Sequence, residues 1–347
     1  MGSCSDRASL GYSRETGQRA IRIIHWIEGY TKPIVIKVQL SNYYAHKLYA
    51  LDKAAAHSVQ KWYNLCQKTT SRKWSHMDKQ TQAPSINQDD HTIDPAVQIR
   101  DRYINLLKKQ LIGMIYEDIP VSDVIINGHR TRRYVKKFRE YGRDLPSKAH
   151  SMIGLHRMNN IQACVAQIVA DGVPGDLIET GVWRGGATIF MRGLLAAYGI
   201  TDRTVWVADS FQGLPVPDVE RYPIDAGWAP QASFLTIPEE QVRDNFARYD
   251  LLDDQVRFLA GWFKDTLPAA PIEQLSLMRL DGDLYGSTWD ALSALYPKLA
   301  PGGFVIIDDY RFPSCRNAVN DYRDQHGIDD PILKIDEDGV FWRRARA

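Results

Sequence analysis

Asp176-Leu177-Ile178-Glu179-Thr180-Gly181-Val182-Trp183-Arg184-Gly185-Gly186 is the stretch on which the fold turns. A short apolar run ends on an acid, passes through a glycine-rich turn and enters a helical pattern. Three later runs end in the same way: Val205 to Asp209, Leu277 to Asp281, and Phe304 to the pair Asp308-Asp309. Short, near-continuous apolar runs with helical stretches between them read as buried parallel strands. In an open α/β sheet the ligand crevice lies beyond the carboxyl ends of the strands. The four acidic endings are therefore expected along one rim. A rim so rich in carboxylates suits hydroxyl donors, a cation, or both.

Working outward, Val256 to Ala260 reads as a further strand, and Ile332 to Trp342, around Glu337-Asp338-Gly339, as a β-hairpin. Upstream, Ile99, Tyr103, Leu106, Leu107, Leu111 and Ile115 recur at three- and four-residue spacing, predicting a helix over 96–118. A second helix is predicted from about His150 to Ala170, with Met152, Leu155, Met158, Ile161, Val165 and Ile168 as its buried stripe and Gly172 and Pro174 as its stop. A connection of about 30 residues follows Asp209 and carries Pro215, Pro217, Tyr222, Pro223, Trp228 and Pro230; loops of that length are usually functional, and its aromatics point to a lid. Thr236, Pro238, Glu239 and Glu240 resemble a helix start with Thr236 near the N-cap.

Residues 1–97 carry a mild basic excess and the remainder a mild acidic one, for a net charge of +1. Neither half is charged enough to name a partner, and nothing points to nucleic acid. Ile34 to Val38 is a candidate strand, Leu40 to Cys66 a candidate helix and Thr69 to Asp94 a polar linker. The histidines of this leader, His25, His46, His57, His76 and His91, lack ligand spacing. Cys4, Cys66, Cys164 and Cys315 form no close pair, so reduced thiols are the expectation. No apolar run approaches the ~20 residues that cross a bilayer, and the polar start lacks the apolar stretch of a signal peptide. A cytoplasmic protein without a membrane segment is expected.

The turn Glu179 to Gly186 is not the dinucleotide pattern, because Gly181, Gly185 and Gly186 are wrongly spaced. Glu179 is suited to the ammonium of an amino-acid-like ligand; the plainer alternative is a tight turn. Asp209 is placed to take the hydroxyls of a ribose, or simply to cap the turn after it. Asp281-Gly282-Asp283 and Asp308-Asp309 bring several carboxylates together, and two unit charges 4 Å apart repel by about 4 kcal/mol at an effective dielectric near 20. Such a cluster holds extra protons or a cation, and an all-oxygen donor set suits Mg²⁺ or another hard ion. Trp262 and Phe263 after Gly261 offer a wall for a purine, or ordinary core packing. His156 and Arg157 read as structural.

Glu179 to Gly186, Ala208 to Phe211, Gly261 to Leu267, Leu280 to Tyr285 and Ile307 to Tyr310, in that order, resemble the macrocin O-methyltransferase family. The resemblance runs from about residue 98 to the end. It implies a class I methyltransferase fold: a Rossmann-like α/β sheet with helices on both faces and a C-terminal hairpin. Residues 98–347 would form that domain, with 98–172 as a helical lid or entry region and 173–347 as the sheet core, and residues 1–97 an extension of unknown role. It also implies S-adenosyl-L-methionine and Mg²⁺ as cofactors and a small-molecule glycoside as acceptor. Carried over residue by residue, Glu179, Thr180, Gly181, Trp183 and Gly185 would hold the methionine part, and Asp209 and Ser210 the ribose, beside the purine wall that Trp262 and Phe263 offer. Asp281, Asp308 and Asp309 would hold the metal, with Asp283 as general base and Asp281 beside it. A histidine assigned to the lid in some members has no counterpart in Tyr222 to Ser233. The resemblance further implies a homo-oligomer, dimer or higher. Competing readings are a catechol or other diol acceptor, a nicotinamide-dependent sugar oxidoreductase, and a docking role for residues 1–97.

Overall fold

The computed structural model describes residues 94–126, 128–228 and 233–346, together with three strands of the leader. The chain divides into two compact units, Met1–Asp89 and Asp90–Ala347. In the first, β1 (Ser9–Glu15), β2 (Gln18–His25) and β3 (Ile34–Gln39) form an antiparallel sheet in the order β1-β2-β3. β3 falls where Ile34 to Val38 predicts it, whereas the first two strands carry no clear sequence signal. The helix expected over Leu40 to Cys66 and the linker up to Ile93 lie outside the described residues.

The second unit opens with α1 (Pro95–Leu111), capped by the Asp94 side chain, which accepts from the Ala96 N–H at 2.9 Å. Only part of the predicted stripe is buried. Ile104, Leu107 and Leu111 face the core, while Ile99 and Leu106 are 68% and 60% exposed. The helix stops at Ile112, whose carbonyl accepts from the buried Arg139 guanidinium at 2.7 Å. A short hairpin, β4 (Val124–Ile126) and β5 (His129–Thr131), and α2 (Lys136–Glu140) lead to α3 (Gly154–Ala170).

From there strands and helices alternate: β6 (Asp176–Thr180), α4 (Gly186–Ala197), β7 (Val205–Asp209), α5 (Glu239–Ala247), β8 (Val256–Ala260), α6 (Phe263–Thr266), β9 (Leu275–Leu280), α7 (Tyr285–Leu295), β10 (Leu299–Ile307), α8 (Pro313–Gln325), β11 (Leu333–Lys334) and β12 (Val340–Arg343). They build one seven-stranded sheet in the order β11-β12-β10-β9-β6-β7-β8. The five strands β6 to β10 pair in parallel, and the C-terminal hairpin adds two antiparallel strands at one edge. At α5 the expected Thr236 cap gives way to Pro238, whose extended backbone occupies the N-cap without a side-chain bond. Among the described residues no helix is long and apolar enough to cross a membrane.

Successive strand residues face opposite sides, and each side has its own core. Leu177, Val205, Val207, Leu277, Phe304 and Ile306 pack with α1, α3, α4 and α5. Ile178, Trp206, Ala208, Met278, Val305 and Ile307 pack with α7 and α8. The free thiols of Cys164 and Cys315 are sealed in these cores, and burial pushes Cys164 up to about 12, far from the reactive thiolate.

Strand ends are locked beyond the sheet itself. The N–H of Gly181 donates to Ala208, that of Asp281 to Thr180, that of Asp308 to Leu280 and that of Gly261 to Asp209, each at 2.9 Å. This tight crossing needs a glycine at 181, where φ is +82° and a Cβ would lie 1.8 Å from the Asp281 carbonyl oxygen. Gly181→Ala is therefore expected to cost more than about 4 kcal/mol. Gly199→Ala, with positive φ and nothing within 4 Å of an added Cβ, should cost only about 1–2 kcal/mol. Urea denaturation of the two variants checks the difference.

Candidate functional site

Four charged side chains share the α3-facing side of the sheet at its carboxyl end. Glu179 and Arg279 sit directly opposite each other on β6 and β9. Asp281 lies two residues beyond Arg279, and Asp308 two residues beyond Ile306, which pairs with Arg279 across β10. The Arg279 guanidinium, fully buried, gathers the three acids. Its Nη1 donates to Glu179 Oε1 and, at 2.9 Å, to Asp281 Oδ2, while Nη2 donates to Asp308 Oδ1. From the first turn of α3, Arg157 donates through Nη1 to Asp308 Oδ2 and through Nε to Asp336 at 3.1 Å. The structural role expected for Arg157 is thus exercised inside the site.

Asp281, Asp308 and Asp309 each offer one oxygen within 4.8 Å of the others. Asp309 Oδ2 accepts from the Asp283 N–H at 3.1 Å. Five acids (Glu179, Asp281, Asp283, Asp308 and Asp309) face two guanidiniums, so negative charge is left over. Burial, then repulsion from Asp308, pushes Asp281 up to about 6. Burial, then Asp281 and Asp308, pushes Asp283 up to about 7. The donor set fits a hard divalent cation: every ligand atom is a carboxylate oxygen, and the crowding of three acids marks charge that a cation would neutralise.

These residues open into a cavity of about 1470 Å³, also lined by Gly181, Trp183, Asp209, Ser210, Trp262, Phe263 and Asp283. Glu179 spends one oxygen on Arg279, while its buried Oε2 has no hydrogen-bond partner among the described residues. Burial pushes its carboxyl up to about 8, with Arg279 pulling the other way. Asp209 accepts from the N–H of Val182 and of Phe211, each at 2.7 Å, so it braces both neighbouring turns while bordering the cavity. The Ser210 hydroxyl is engaged with the Gly213 carbonyl at 2.7 Å and accepts from the Gln212 N–H at 3.0 Å. Phe263 also packs against the α7–α8 core.

Thr180 and Gly185 are not among the lining residues. Thr180 points to the opposite side of β6 from Glu179 and is fully buried. Gly185 begins α4, where an added Cβ would lie 2.8 Å from Val242. Trp183, Phe211 and Asp283, in the turns after three different strands, all have left-handed backbone with φ of 48°, 56° and 59°. Such strain persists only where surroundings enforce it, and it gathers at functional sites.

The connection after β7 forms one wall. Asp225 is buried and accepts from the N–H groups of Tyr285 at 2.7 Å and Gly286 at 3.1 Å, at the start of α7. Tyr222 packs at a tilt of 34° against Tyr285 with centroids 4.9 Å apart, and Trp228 meets Phe312 edge-on at 5.2 Å. Pro230 lies outside the described residues. His150 also lines the cavity. Its Nδ1 is 2.8 Å from the Tyr249 hydroxyl, and burial, then Arg248 and Arg184, lowers it to about 4, so it is neutral at pH 7.

Arg279, Asp225 and His150 join the site without being among its expected residues. Arg279 does leave a signal: a lone cation inside an apolar run, two positions before an acid and therefore on its face. The other two meet partners far along the chain and leave no local trace.

The macrocin O-methyltransferase family matches the chain over residues 100–344. The chain is 55% identical, over 72% of its length and 94% of the relative's, to the 8-demethyl-8-(2,3-dimethoxy-alpha-L-rhamnosyl)-tetracenomycin-C 4'-O-methyltransferase of Streptomyces olivaceus. It is 53% identical, over 70% of its length and 96% of the relative's, to the mycinamicin III 3''-O-methyltransferase of Micromonospora griseorubida. The solved structure of the O-methyltransferase NovP, 51% identical, superposes with a TM-score of 0.67 over 71% of this chain and all of that one. The chain belongs to the macrocin O-methyltransferase family.

Proposed function

We propose that the protein transfers a methyl group from S-adenosyl-L-methionine to a hydroxyl of a sugar carried by a natural product, with Mg²⁺ held by Asp281, Asp308 and Asp309. The observation that carries this reading is the convergence of those three carboxylates in the same cavity as Glu179 and Asp209. The rhamnosyl group in the name of the Streptomyces olivaceus relative supports a sugar acceptor.

In this reading Glu179 Oε2 accepts from the donor's ammonium, Asp209 from its ribose hydroxyls, and Trp262 and Phe263 flank its base. The sulfonium methyl is already activated, so the protein's main task is to hold the reactants in line. Bound Mg²⁺ would lower the pKa of the acceptor hydroxyl and orient its oxygen. Transfer would form the C–O bond as the C–S bond breaks and release S-adenosylhomocysteine, with the Asp283 carboxylate taking the hydroxyl proton. With its pKa near the working pH, Asp283 suits that task. The wall anchored by Asp225 keeps water from the donor. In the same proposal the exposed Ile99 and Leu106 of α1 meet a second copy of the chain.

Labelled S-adenosyl-L-methionine offered with a panel of glycosides and catechols should give methylated glycosides by mass spectrometry; methylated catechols alone would overturn the sugar acceptor. Asp309→Asn, or EDTA on the intact enzyme, is expected to lower turnover at least about 100-fold, with S-adenosylhomocysteine binding retained in calorimetry; full activity in EDTA would end the metal role. Asp308→Ala is the poorer test, because it strips a partner from two buried guanidiniums and should destabilise the fold by about 3–5 kcal/mol. Asp283→Asn should lower kcat by about 10²–10⁴ with little change in donor affinity. Leu106→Glu should shift sedimentation toward a smaller species.

A further inference from the structure

Arg279 is a side chain that hydrogen-bonds to acids in both halves of the site. It holds Glu179 on the donor side and Asp281 and Asp308 on the cation side, through a single planar guanidinium. It is fully buried, it sits mid-site on β9 rather than in a loop, and its Nε has no partner among the described residues. A guanidinium cannot shed its charge inside a protein, so whatever one set of carboxylates gives up, the other must supply.

We infer that Arg279 is a positioning residue that couples the two halves, so that a divalent cation on the aspartates and the cofactor at Glu179 tighten each other's binding. This rests on the proposed donor and cation sites. The direction follows from the shared hydrogen bonds. A cation drawing on Asp281 and Asp308 competes with the guanidinium for those oxygens. Arg279 then concentrates on Glu179 Oε1 and fixes that carboxylate, leaving the unpartnered Oε2 for an ammonium. Lysine at this position would keep the charge but lose the fork that reaches three acids at once. By linkage the effect is reciprocal: the cofactor must raise cation affinity by the same factor.

The test is calorimetric titration of the full chain with S-adenosylhomocysteine, in EDTA and in saturating MgCl₂, with Mg²⁺ binding titrated separately. The intact protein is expected to bind S-adenosylhomocysteine about tenfold more tightly with Mg²⁺. Arg279→Lys is expected to bind it equally in both conditions. Should that variant not fold, Glu179→Gln removes the other end of the bridge and is expected to abolish the coupling too. Equal affinity in the intact protein under both conditions, with Mg²⁺ shown to bind, would overturn the coupling while leaving the site intact. Full coupling retained in either variant would overturn the role of Arg279. Failure of S-adenosylhomocysteine and Mg²⁺ to bind at all would remove the underlying reading, and the inference with it.

Discussion

One buried guanidinium sets the terms for the whole rim. Arg279 stands near the carboxyl end of the central strand β9, in a position that the surrounding pattern reserves for an apolar side chain. Breaking a buried ion pair by removing one partner is far more costly than never having built it. Once Arg279 is present, Glu179, Asp281 and Asp308 must therefore be held around it, and the strands carrying them must stay in register. The crossing of Gly181 over the Asp281 carbonyl meets the same demand from the backbone. Arg157 extends the network to Asp336 in the C-terminal hairpin, so the last strands of the chain are tied to the same cluster.

The excess of acid over base is as informative as the pairing. Two arginines satisfy the acids only in part, and the remainder is concentrated at Asp281, Asp283 and Asp309. Burial and mutual repulsion raise all three. A site assembled in this way attracts positive charge from outside. The sulfonium donor that the family implies and the divalent cation proposed above are both positively charged.

Much of the rim is legible in the amino-acid sequence alone. Acids directly after apolar runs are easy to see, and parallel strands must bring their ends to one edge, so Glu179, Asp209, Asp281, Asp308 and Asp309 group together from pattern. The family resemblance sharpens their expected roles. What escapes does so for physical reasons. Helical spacing finds an apolar stripe but not which half of it meets the core, so it places the exposed Ile99 and Leu106 in one stripe with the buried Leu107 and Leu111. Thr236 has the chemistry of a cap, yet the chain turns into α5 at Pro238. Thr180 and Gly185 belong to the right motif, but strand alternation turns one away and helix packing claims the other. Asp225 caps a helix sixty positions ahead of it, a relation set by folding and invisible in a local window.

That long-range cap ties the cavity wall to the body of the domain. Asp225 grips α7 through main-chain amides, which every residue but proline provides. The hydrogen bonds themselves ask only for a single carboxylate, while Tyr222 and Trp228 hold the same wall through Tyr285 and Phe312. Loop side chains other than these three anchors can vary while the path over the cavity stays fixed. The wall can thus be rewritten between its anchors without disturbing the charged machinery beneath it.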